Sequence, residues 1–180
     1  MFNNFSINKH KYLKYSKSGS MHQLREIIEL SRKPLDRNFA EKYNNISQVF
    51  ENIFNKRQLQ FPKQLIQNLI SESKPIIVSI KKYHDRERPH VGAKRFSINL
   101  QYHKMHSAQT PSFPSGHSAQ AQLIANVLSD EYPKHSSEFY QAAQNISDSR
   151  LVARVHYKSD SDAGLKLGND LYEHYKMLKN

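Results

Sequence analysis

Hydrophobic residues recur along most of the chain at the three- and four-residue spacing of amphipathic helices. In chain order, this pattern predicts helices over 21–33, 35–55, 62–74, 76–88, 115–130, 136–156 and 159–178. Pro75 is expected to interrupt the third helical stretch, because a proline inside a helix removes a backbone hydrogen bond. Residues 90–114 follow neither a helical nor a strand period and form the longest predicted loop. Since no stretch alternates as a β-strand does, the sequence predicts an all-α, single-domain helical bundle.

The first 20 residues are polar and carry serine and glycine near their end. We expect them to form a loosely held N-terminal arm in front of one helical domain over residues 21–180. A chain of 180 residues is long enough for one domain with a buried core.

The charge of the chain narrows the classes of partner. There are 27 Lys and Arg residues against 16 Asp and Glu residues, which gives a net charge of +11. Such a surface favours anionic partners, namely nucleic acid, anionic lipid head groups or phosphorylated small molecules. A lysine-rich surface that is merely solvated, without a specific partner, explains the charge equally well.

Targeting signals and cysteines are absent from the sequence. Without cysteine there are no disulfide bonds or thiolate metal sites, which fits a reducing compartment. No apolar run approaches the length that spans a bilayer, and the N-terminal lysines are not followed by the apolar stretch of a secretory signal. We therefore expect a cytoplasmic protein without a signal peptide or a transmembrane helix.

The segment KKYHDRERP concentrates basic residues before a proline. Lys81 and Arg88 are seven residues apart, close to two helical turns, so both side chains are expected near one face of a helix. An ammonium and a guanidinium on one face can converge on a single anionic group. Lys82, His84 and Arg86 are expected to point elsewhere on this helix. A solvated charged helix face is the alternative.

The segment FPSGHS lies at the start of the helix predicted over 115–130. Gly116 lets the backbone approach a ligand closely, and the free N–H groups of Ser115, Gly116 and their neighbours favour a negative charge. His117 could donate a proton to a leaving oxygen. The alternative is that Ser115 only caps the helix and His117 is a surface residue.

The segment SRLVARVHYKSD places Arg150 six residues before His156, and Asp160 four residues after it. If helical geometry continues through this segment, the carboxylate lies beside the imidazole and accepts its N–H. The other ring nitrogen then keeps a free lone pair, which a nucleophile or a general base requires. A structural hydrogen bond or a solvated pair is the alternative.

The three segments together form an ordered pattern: Lys, six residues, Arg-Pro; then Pro-Ser-Gly-His; then Ser-Arg, five residues, His, three residues, Asp. This pattern resembles the tripartite signature of the type 2 phosphatidic acid phosphatase superfamily. That superfamily includes soluble class A acid phosphatases, membrane lipid phosphatases and vanadium haloperoxidases. The specified positions are Lys81, Arg88, Pro89, Pro114, Ser115, Gly116, His117, Ser149, Arg150, His156 and Asp160. Residues 1–80 match the family only as generic helices.

The resemblance implies the helical bundle of the acid phosphatase and vanadium-dependent haloperoxidase type. It also implies that His156 is a nucleophile attacking phosphorus, that Asp160 orients it, and that His117 serves as general acid and base. The implied phosphate-binding residues are Lys81, Arg88, Ser115, Gly116 and Arg150. No metal and no other cofactor is expected, because three cations and a helix terminus supply the electrostatic stabilisation.

The implied mechanism needs a neutral His156 and a protonated His117. Nearby Lys and Arg side chains lower the pKa of both rings, whereas Asp160 and bound phosphate stabilise their charged forms. We therefore expect a bell-shaped dependence of activity on pH, with an optimum on the acidic side of neutrality.

The expected partner is a phosphorylated small-molecule substrate, while peripheral contact with anionic lipid and a homodimer stay open. Residues 90–113, with His103 and His106, either line the entrance to the site or form a mobile loop. One rival function is a haloperoxidase that holds vanadate, a phosphate mimic, in the same pocket, although such enzymes tend to be much larger. A rival from another class is a basic helical nucleic-acid-binding protein without catalysis.

Overall fold

The computed structural model describes residues 1–2 and 4–179; Asn3 and Asn180 lie outside the described residues. Its α-helices are α1 (Asn8–Lys11), α2 (Met21–Arg32), α3 (Arg37–Lys42), α4 (Ile46–Lys56), α5 (Lys63–His84), α6 (Pro89–Gly92), α7 (Gly116–Glu131), α8 (Ser136–Val152) and α9 (Lys158–Lys179). Short 3-10 turns cover Ala93–Phe96, His106–Ala108 and Pro133–His135. The described part of the chain contains no β-strand, so the all-α prediction is confirmed.

Helix α7 occupies the centre of the bundle and packs against α8, α9 and α5. Its apolar residues Leu123, Ile124 and Leu128 are fully buried, as the helical spacing in the sequence predicts. Phe139 from α8 and Leu167 from α9 complete this core. Each such side chain contributes about 1.5–3 kcal/mol relative to an exposed position, and the core therefore holds α7 firmly between its neighbours.

Two glycines allow α9 to lie unusually close to α7. A Cβ atom added at Gly164 would lie 2.4 Å from the carbonyl oxygen of Ser115, and one added at Gly168 would lie 2.5 Å from that of Ala119. Real Cβ atoms do not approach backbone that closely, so only glycine permits this packing. As a result, the start of α9 lies directly beside the start of α7.

The sequence prediction of one helix over 35–55 is wrong, because the chain breaks between α3 and α4. Asn45 caps α4: its side chain accepts a hydrogen bond from the N–H of Gln48 at 3.2 Å. An asparagine that caps a helix competes with continuation of the preceding one. The break leaves Asn44 in a short turn, and this turn contributes to the site described below.

Pro75 does not interrupt the helix as predicted, since α5 runs without a break from Lys63 to His84. Pro75 and Ser71, whose carbonyl loses its usual partner, both lie on the exposed face, where water can satisfy that carbonyl. Burial of Ile77 and Ile80 on the opposite face holds the second half of the helix in place.

The helix ends nearest the site also differ from the predictions. Helix α5 ends at His84, where Asp85 takes the left-handed conformation with φ 45°, so Arg86 and Arg88 lie outside the helix. Helix α8 ends at Val152 rather than near His156, and Arg154 is left-handed with φ 58°. His156 therefore lies in the turn between α8 and α9, not on a continuous helix.

The prediction of a loosely held N-terminal arm is wrong. Phe2 and His10 are buried, with 4% and 1% exposure. The hydroxyl of Tyr15 donates to the carbonyl of His84 at 2.8 Å, which attaches the segment to the end of α5. Phe2, His10 and Tyr15 thus attach the N-terminal segment to the bundle, and a domain boundary after residue 20 stays a prediction.

A search of the described residues for membrane-crossing segments found no helix with the necessary combination of length and apolar character.

Candidate active site

His156 and Asp160 form a buried pair at the start of α9. His156 Nδ1 lies 3.2 Å from Asp160 Oδ2, and the backbone N–H of Tyr157 donates to the same oxygen at 3.0 Å. A carboxylate only accepts, so the proton of the neutral ring sits on Nδ1. The lone pair of Nε2 then faces Arg88, whose Nη1 lies 3.0 Å away. The carboxylate lies beside the ring as expected, although a turn and the first residues of α9 bring it there.

The surroundings of His156 favour its neutral form. Burial lowers its pKa well below the usual value, and the positive charges of Arg88, Lys81 and Arg150 lower the pKa further. With 3% exposure, the ring exchanges little with solvent. Its electrostatic setting therefore preserves a lone pair on Nε2 at neutral and mildly acid pH.

Arg86 holds Asp160 from the other side, a contact that the sequence reasoning missed. Its Nη1 donates to Asp160 Oδ1 at 2.5 Å, and its Nη2 donates to Glu26 Oε2 at 2.7 Å. The guanidinium stacks on the ring of Tyr157 at 3.8 Å, and Arg86 is only 4% exposed. The predicted position of Arg86 on a helix face away from the site is therefore wrong.

Glu26, which is partly buried, completes a line of hydrogen-bonded groups that runs from α2 to His156. Its Oε1 accepts from the backbone N–H of Ser159 at 3.2 Å and from the Ser159 hydroxyl at 2.5 Å. Nothing local in the sequence distinguished Glu26 from the exposed acid Glu29 in the same helix.

Lys81 and Arg88 meet at the loop 110–112, although Arg88 reaches it from outside the helix. Lys81 Nζ donates to the carbonyls of Pro111 at 2.6 Å and Ser112 at 3.2 Å. Arg88 donates through Nε and Nη2 to the carbonyl of Thr110, at 3.0 and 2.8 Å. Burial, followed by the charge of Arg88, lowers the pKa of Lys81 to about 7. The two cations lie close together at this loop, and their joint binding of one anionic group stays a prediction.

The Pro-Ser-Gly-His segment starts α7 beside this pair of cations. Ser115 caps the helix, its hydroxyl accepting from the N–H of Ser118 at 3.3 Å. Its own N–H donates to the carbonyl of Asp160 at 2.9 Å, so the expectation of a free amide at Ser115 is wrong. A Cβ atom at Gly116 would lie 3.9 Å from Lys81 Cε. The missing side chain keeps the first turn of α7 open next to this lysine.

His117 lies one residue further into α7 and is half-buried. Its Nε2 lies 3.0 Å from the backbone carbonyl of Asn44; because a carbonyl only accepts, Nε2 carries the proton. Burial and then the charge of Arg150 lower the pKa of His117 to about 3. The free ring is therefore neutral unless a negative group binds beside it.

Arg150 is fully buried and ends next to the same turn. Its Nη1 donates to Asn44 Oδ1 at 3.1 Å, and its Nη2 donates to Ser107 Oγ at 2.9 Å. Burial and the nearby charge of Arg88 lower its pKa to about 10, so it stays positive at neutral pH. The sequence reasoning missed both Asn44 and Ser107. The pair Asn44-Asn45, placed in the middle of an apolar helical stripe, was the available signal for a turn.

Of the histidines in the predicted loop, His103 lies 2.6 Å from Glu41 Oε1 and is thereby tied to α3, whereas His106 is exposed.

All predicted site residues come together around the ring of His156: Lys81, Arg88, Ser115, Gly116, His117, Arg150 and Asp160. Within residues 1–2 and 4–179, no three His, Asp or Glu side chains are grouped as metal ligands. The assembled groups are a neutral imidazole with an available lone pair, three cations, a second imidazole and a helix N-terminus.

Comparison with curated proteins finds relatives among acid phosphatases. The chain is 33% identical over 90 residues to the non-specific acid phosphatase of Salmonella typhimurium, which covers 50% of the chain and 36% of the relative. It is 29% identical over 129 residues to the non-specific acid phosphatase of Salmonella typhi, which covers 69% of the chain and 51% of the relative. The chain therefore spans about half, or less, of the length of these relatives.

A solved structure shows the same fold in a distant protein. The crystal structure of a transmembrane PAP2-type phosphatidylglycerolphosphate phosphatase from Bacillus subtilis matches with a TM-score of 0.58 and 20% identity. The match covers 89% of this chain and 88% of that one. The model of the PAP2 superfamily matches residues 65–169, which is more than half of the chain and includes each of the three motif segments. The chain belongs to the PAP2 superfamily.

Proposed function

We propose that this protein is a metal-independent phosphoric monoester hydrolase that works through a phosphohistidine intermediate. One observation carries the proposal: Asp160 holds the proton of His156 on Nδ1, so the Nε2 lone pair faces a pocket of cations. A neutral imidazole with this orientation is a competent nucleophile toward phosphorus. Family membership and the acid phosphatase relatives support the same reaction class.

In the first step, Nε2 of His156 attacks phosphorus, and the bond between phosphorus and the ester oxygen breaks. The ring acquires a positive charge as the new N–P bond forms, and the carboxylate of Asp160 stabilises it through Nδ1–H. Arg88, which lies against Nε2 at 3.0 Å, would transfer this hydrogen bond to an oxygen of the phosphoryl group.

The nonbridging oxygens would be held by Lys81, Arg88 and Arg150, together with the first turn of α7 at Gly116. Three cations around one group stabilise the charge that spreads over these oxygens in the transition state. Ser115 places that turn, since its N–H donates to the carbonyl of Asp160 and its hydroxyl oxygen accepts from Ser118, and its own O–H would donate to a phosphoryl oxygen.

His117 would protonate the departing alkoxide and then take a proton from the water that hydrolyses the intermediate. Its Nε2–H is directed at the carbonyl of Asn44, so Nδ1 is the nitrogen that gives and takes this proton. In the free protein the pKa of His117 is lowered to about 3, and a dianionic phosphate ester beside the ring raises it. The acidic pH optimum stays a prediction, because it depends on the size of that rise.

The proposed substrate class is a phosphomonoester of a small molecule. A lipid phosphate reached at an anionic surface, a homodimer and the cytoplasmic location stay predictions. The basic composition fits phosphorylated substrates of either kind, since it attracts anions without distinguishing between them.

Hydrolysis of p-nitrophenyl phosphate tests the proposal, measured from acid to neutral pH in EDTA, with and without orthovanadate. We expect turnover that persists in EDTA, is inhibited by vanadate and is lost in His156→Ala, while His106→Ala, at an exposed histidine, keeps full activity. Phosphorus NMR of protein quenched in alkali after brief exposure to substrate would then detect phosphohistidine.

Three results would contradict the proposal. Turnover that persists in His156→Ala would exclude this nucleophile. Peroxide-dependent bromide oxidation with vanadate, without phosphatase activity, would favour the haloperoxidase. Salt-sensitive binding to random DNA without turnover would favour the nucleic-acid-binding alternative.

A further inference from the structure

Asn44 contacts two of the site residues, and they belong to different helices. Its backbone carbonyl accepts from Nε2 of His117 on α7, and its side-chain Oδ1 accepts from Arg150 on α8. We infer that Asn44 is a positioning residue that aligns the leaving-group histidine with the phosphate-binding arginine. The inference rests on the proposed function and extends it to a residue outside the three motif segments.

The turn that carries Asn44 is fixed on both sides. The N–H of Asn44 donates to the carbonyl of Glu41 at 3.2 Å, and its side-chain amide donates to Glu41 Oε2 at 3.3 Å. On the other side, the cap made by Asn45 begins α4. A residue held in this way has a defined carbonyl direction, and that direction decides which nitrogen of His117 is free for proton transfer.

The side chain of Asn44 is uncharged, and this affects how much positive charge Arg150 can offer to a ligand. Arg86 faces two carboxylates, but within the described residues Arg150 is held only by neutral oxygens, those of Asn44 and Ser107. An amide oxygen orients a guanidinium without cancelling its charge. Arg150 therefore keeps its full positive charge for a phosphoryl group, while Asn44 limits its motion.

The contact of Ser107 strengthens this arrangement. Its hydroxyl donates to Asn44 Oδ1 at 3.3 Å and accepts from Arg150 at 2.9 Å, so the three side chains form a closed set of hydrogen bonds. Arg150 also has a buried Nε–H without a partner among the described residues. Arg150 therefore keeps an N–H donor, at Nε, that neither Asn44 nor Ser107 uses.

Two substitutions separate orientation from charge. Asn44→Ala removes the side chain and keeps the carbonyl that faces His117, so we expect orthophosphate to bind about 10-fold more weakly. Asn44→Asp keeps the shape but places a carboxylate against Arg150, so we expect a loss of about 100-fold as the two charges pair with each other. Asn52→Ala is the matched control, because Asn52 lies exposed on α4 and its side chain accepts from Gln48, away from the site.

The experiment measures orthophosphate binding by calorimetry for wild type and the three variants, and kcat and KM for p-nitrophenyl phosphate beside it. We expect Kd and KM to rise in the order wild type, Asn44→Ala, Asn44→Asp. Asn52→Ala should leave both constants unchanged. Circular dichroism shows that each variant is folded.

The outcomes distinguish this inference from the proposed function. Wild-type affinity in Asn44→Asp, or an equal loss of affinity in Asn52→Ala, would overturn the role of Asn44. Failure of wild type to bind orthophosphate would overturn it as well. Phosphate binding that weakens as expected in a protein without turnover would support the role of Asn44 and contradict the proposed hydrolysis.

Discussion

His156 and His117 are both surrounded by positive charge, but they are held by different kinds of partner. Behind His156 lies a line of charged groups, from the buried Asp160 and Arg86 to the partly buried Glu26. Among the described residues, the hydrogen-bond partner of His117 is the backbone carbonyl of Asn44, in a turn close to the surface. The nucleophile side is therefore built from ion pairs and the leaving-group side from neutral hydrogen bonds.

The difference has a physical consequence. Breaking one member of a buried ion pair leaves an uncompensated charge and costs far more than exchanging a neutral hydrogen bond. The nucleophile is thus fixed by charged groups whose rearrangement costs a large free energy. The turn around Asn44 and the segment with Ser107 are held by neutral hydrogen bonds, each of which costs less to lose.

The largest expected effect is on the nucleophile side, in Asp160→Asn. The amide cannot hold the proton of His156 on Nδ1 as a carboxylate does, so we expect kcat to fall by about 10⁴-fold, as with other oriented histidines. His103→Gln, which removes an imidazole tied only to the exposed Glu41, is the comparison and should change kcat less than about 3-fold. Single-turnover kinetics would show that the phosphorylation step is slowed in Asp160→Asn. A similar decrease in kcat in His103→Gln would refute a special role for the carboxylate beside His156.

The second prediction concerns the charge behind that pair. Arg86→Met leaves the buried carboxylate of Asp160 and the partly buried carboxylate of Glu26 without their cation, and we expect a loss of about 3–5 kcal/mol in the free energy of unfolding. Arg57→Met removes an ion pair with Glu138 at the surface and should cost less than about 1 kcal/mol. Urea denaturation of both variants measures this contrast. Equal losses in the free energy of unfolding would show that burial does not make the Arg86 ion pairs more important for stability.

The third prediction is a dependence of stability on pH. The folded protein keeps His156 and His117 neutral, with the pKa of His117 lowered to about 3, whereas both rings take up protons near pH 6.5 when unfolded. The unfolded state then binds more protons, so the contribution of these two histidines to stability is complete above about pH 6.5 and falls by about 1.4 kcal/mol per pH unit for each histidine below it.

Replacing one histidine at a time assigns this slope to the two sides of the site. His117→Gln and His156→Gln should each remove about half of it, as measured by urea denaturation between neutral and mildly acid pH. A slope that is unchanged in both variants would show that other groups cause the acid sensitivity.

The smallest expected effect lies where the two sides of the site meet. Gly164→Ala places a methyl group against Ser115 at the start of α7, and Gly168→Ala places one against Ala119, one turn further along. We expect each to cost about 1–3 kcal/mol of stability, since overpacking forces the helices apart. Only Gly164→Ala should also lower kcat, because it displaces Ser115 relative to Asp160. Equal kcat values in the two variants would argue against this coupling.

Much of the molecule followed from local patterns in the sequence. Apolar spacing predicted α2, α7 and α9 closely, because burial of one helical face depends on residues a few positions apart. The three motif segments identified the residues that surround His156. Predictions were wrong where tertiary packing overrode a local rule. Pro75, for example, does not interrupt α5, because it lies on the exposed face of that helix.

The sequence by itself determined which helices form and which residues carry the chemistry, since both depend on spacing along the chain. Only the tertiary structure decided which side chains support them. Arg86 and Lys82 are equivalent as basic residues of one segment, yet only Arg86 is buried between two carboxylates, from α2 and α9. Asn44 gained its position because a turn of the chain lies beside α7 and α8. Such contacts join residues 60 or more positions apart, and no local pattern encodes which distant partner a polar side chain will meet.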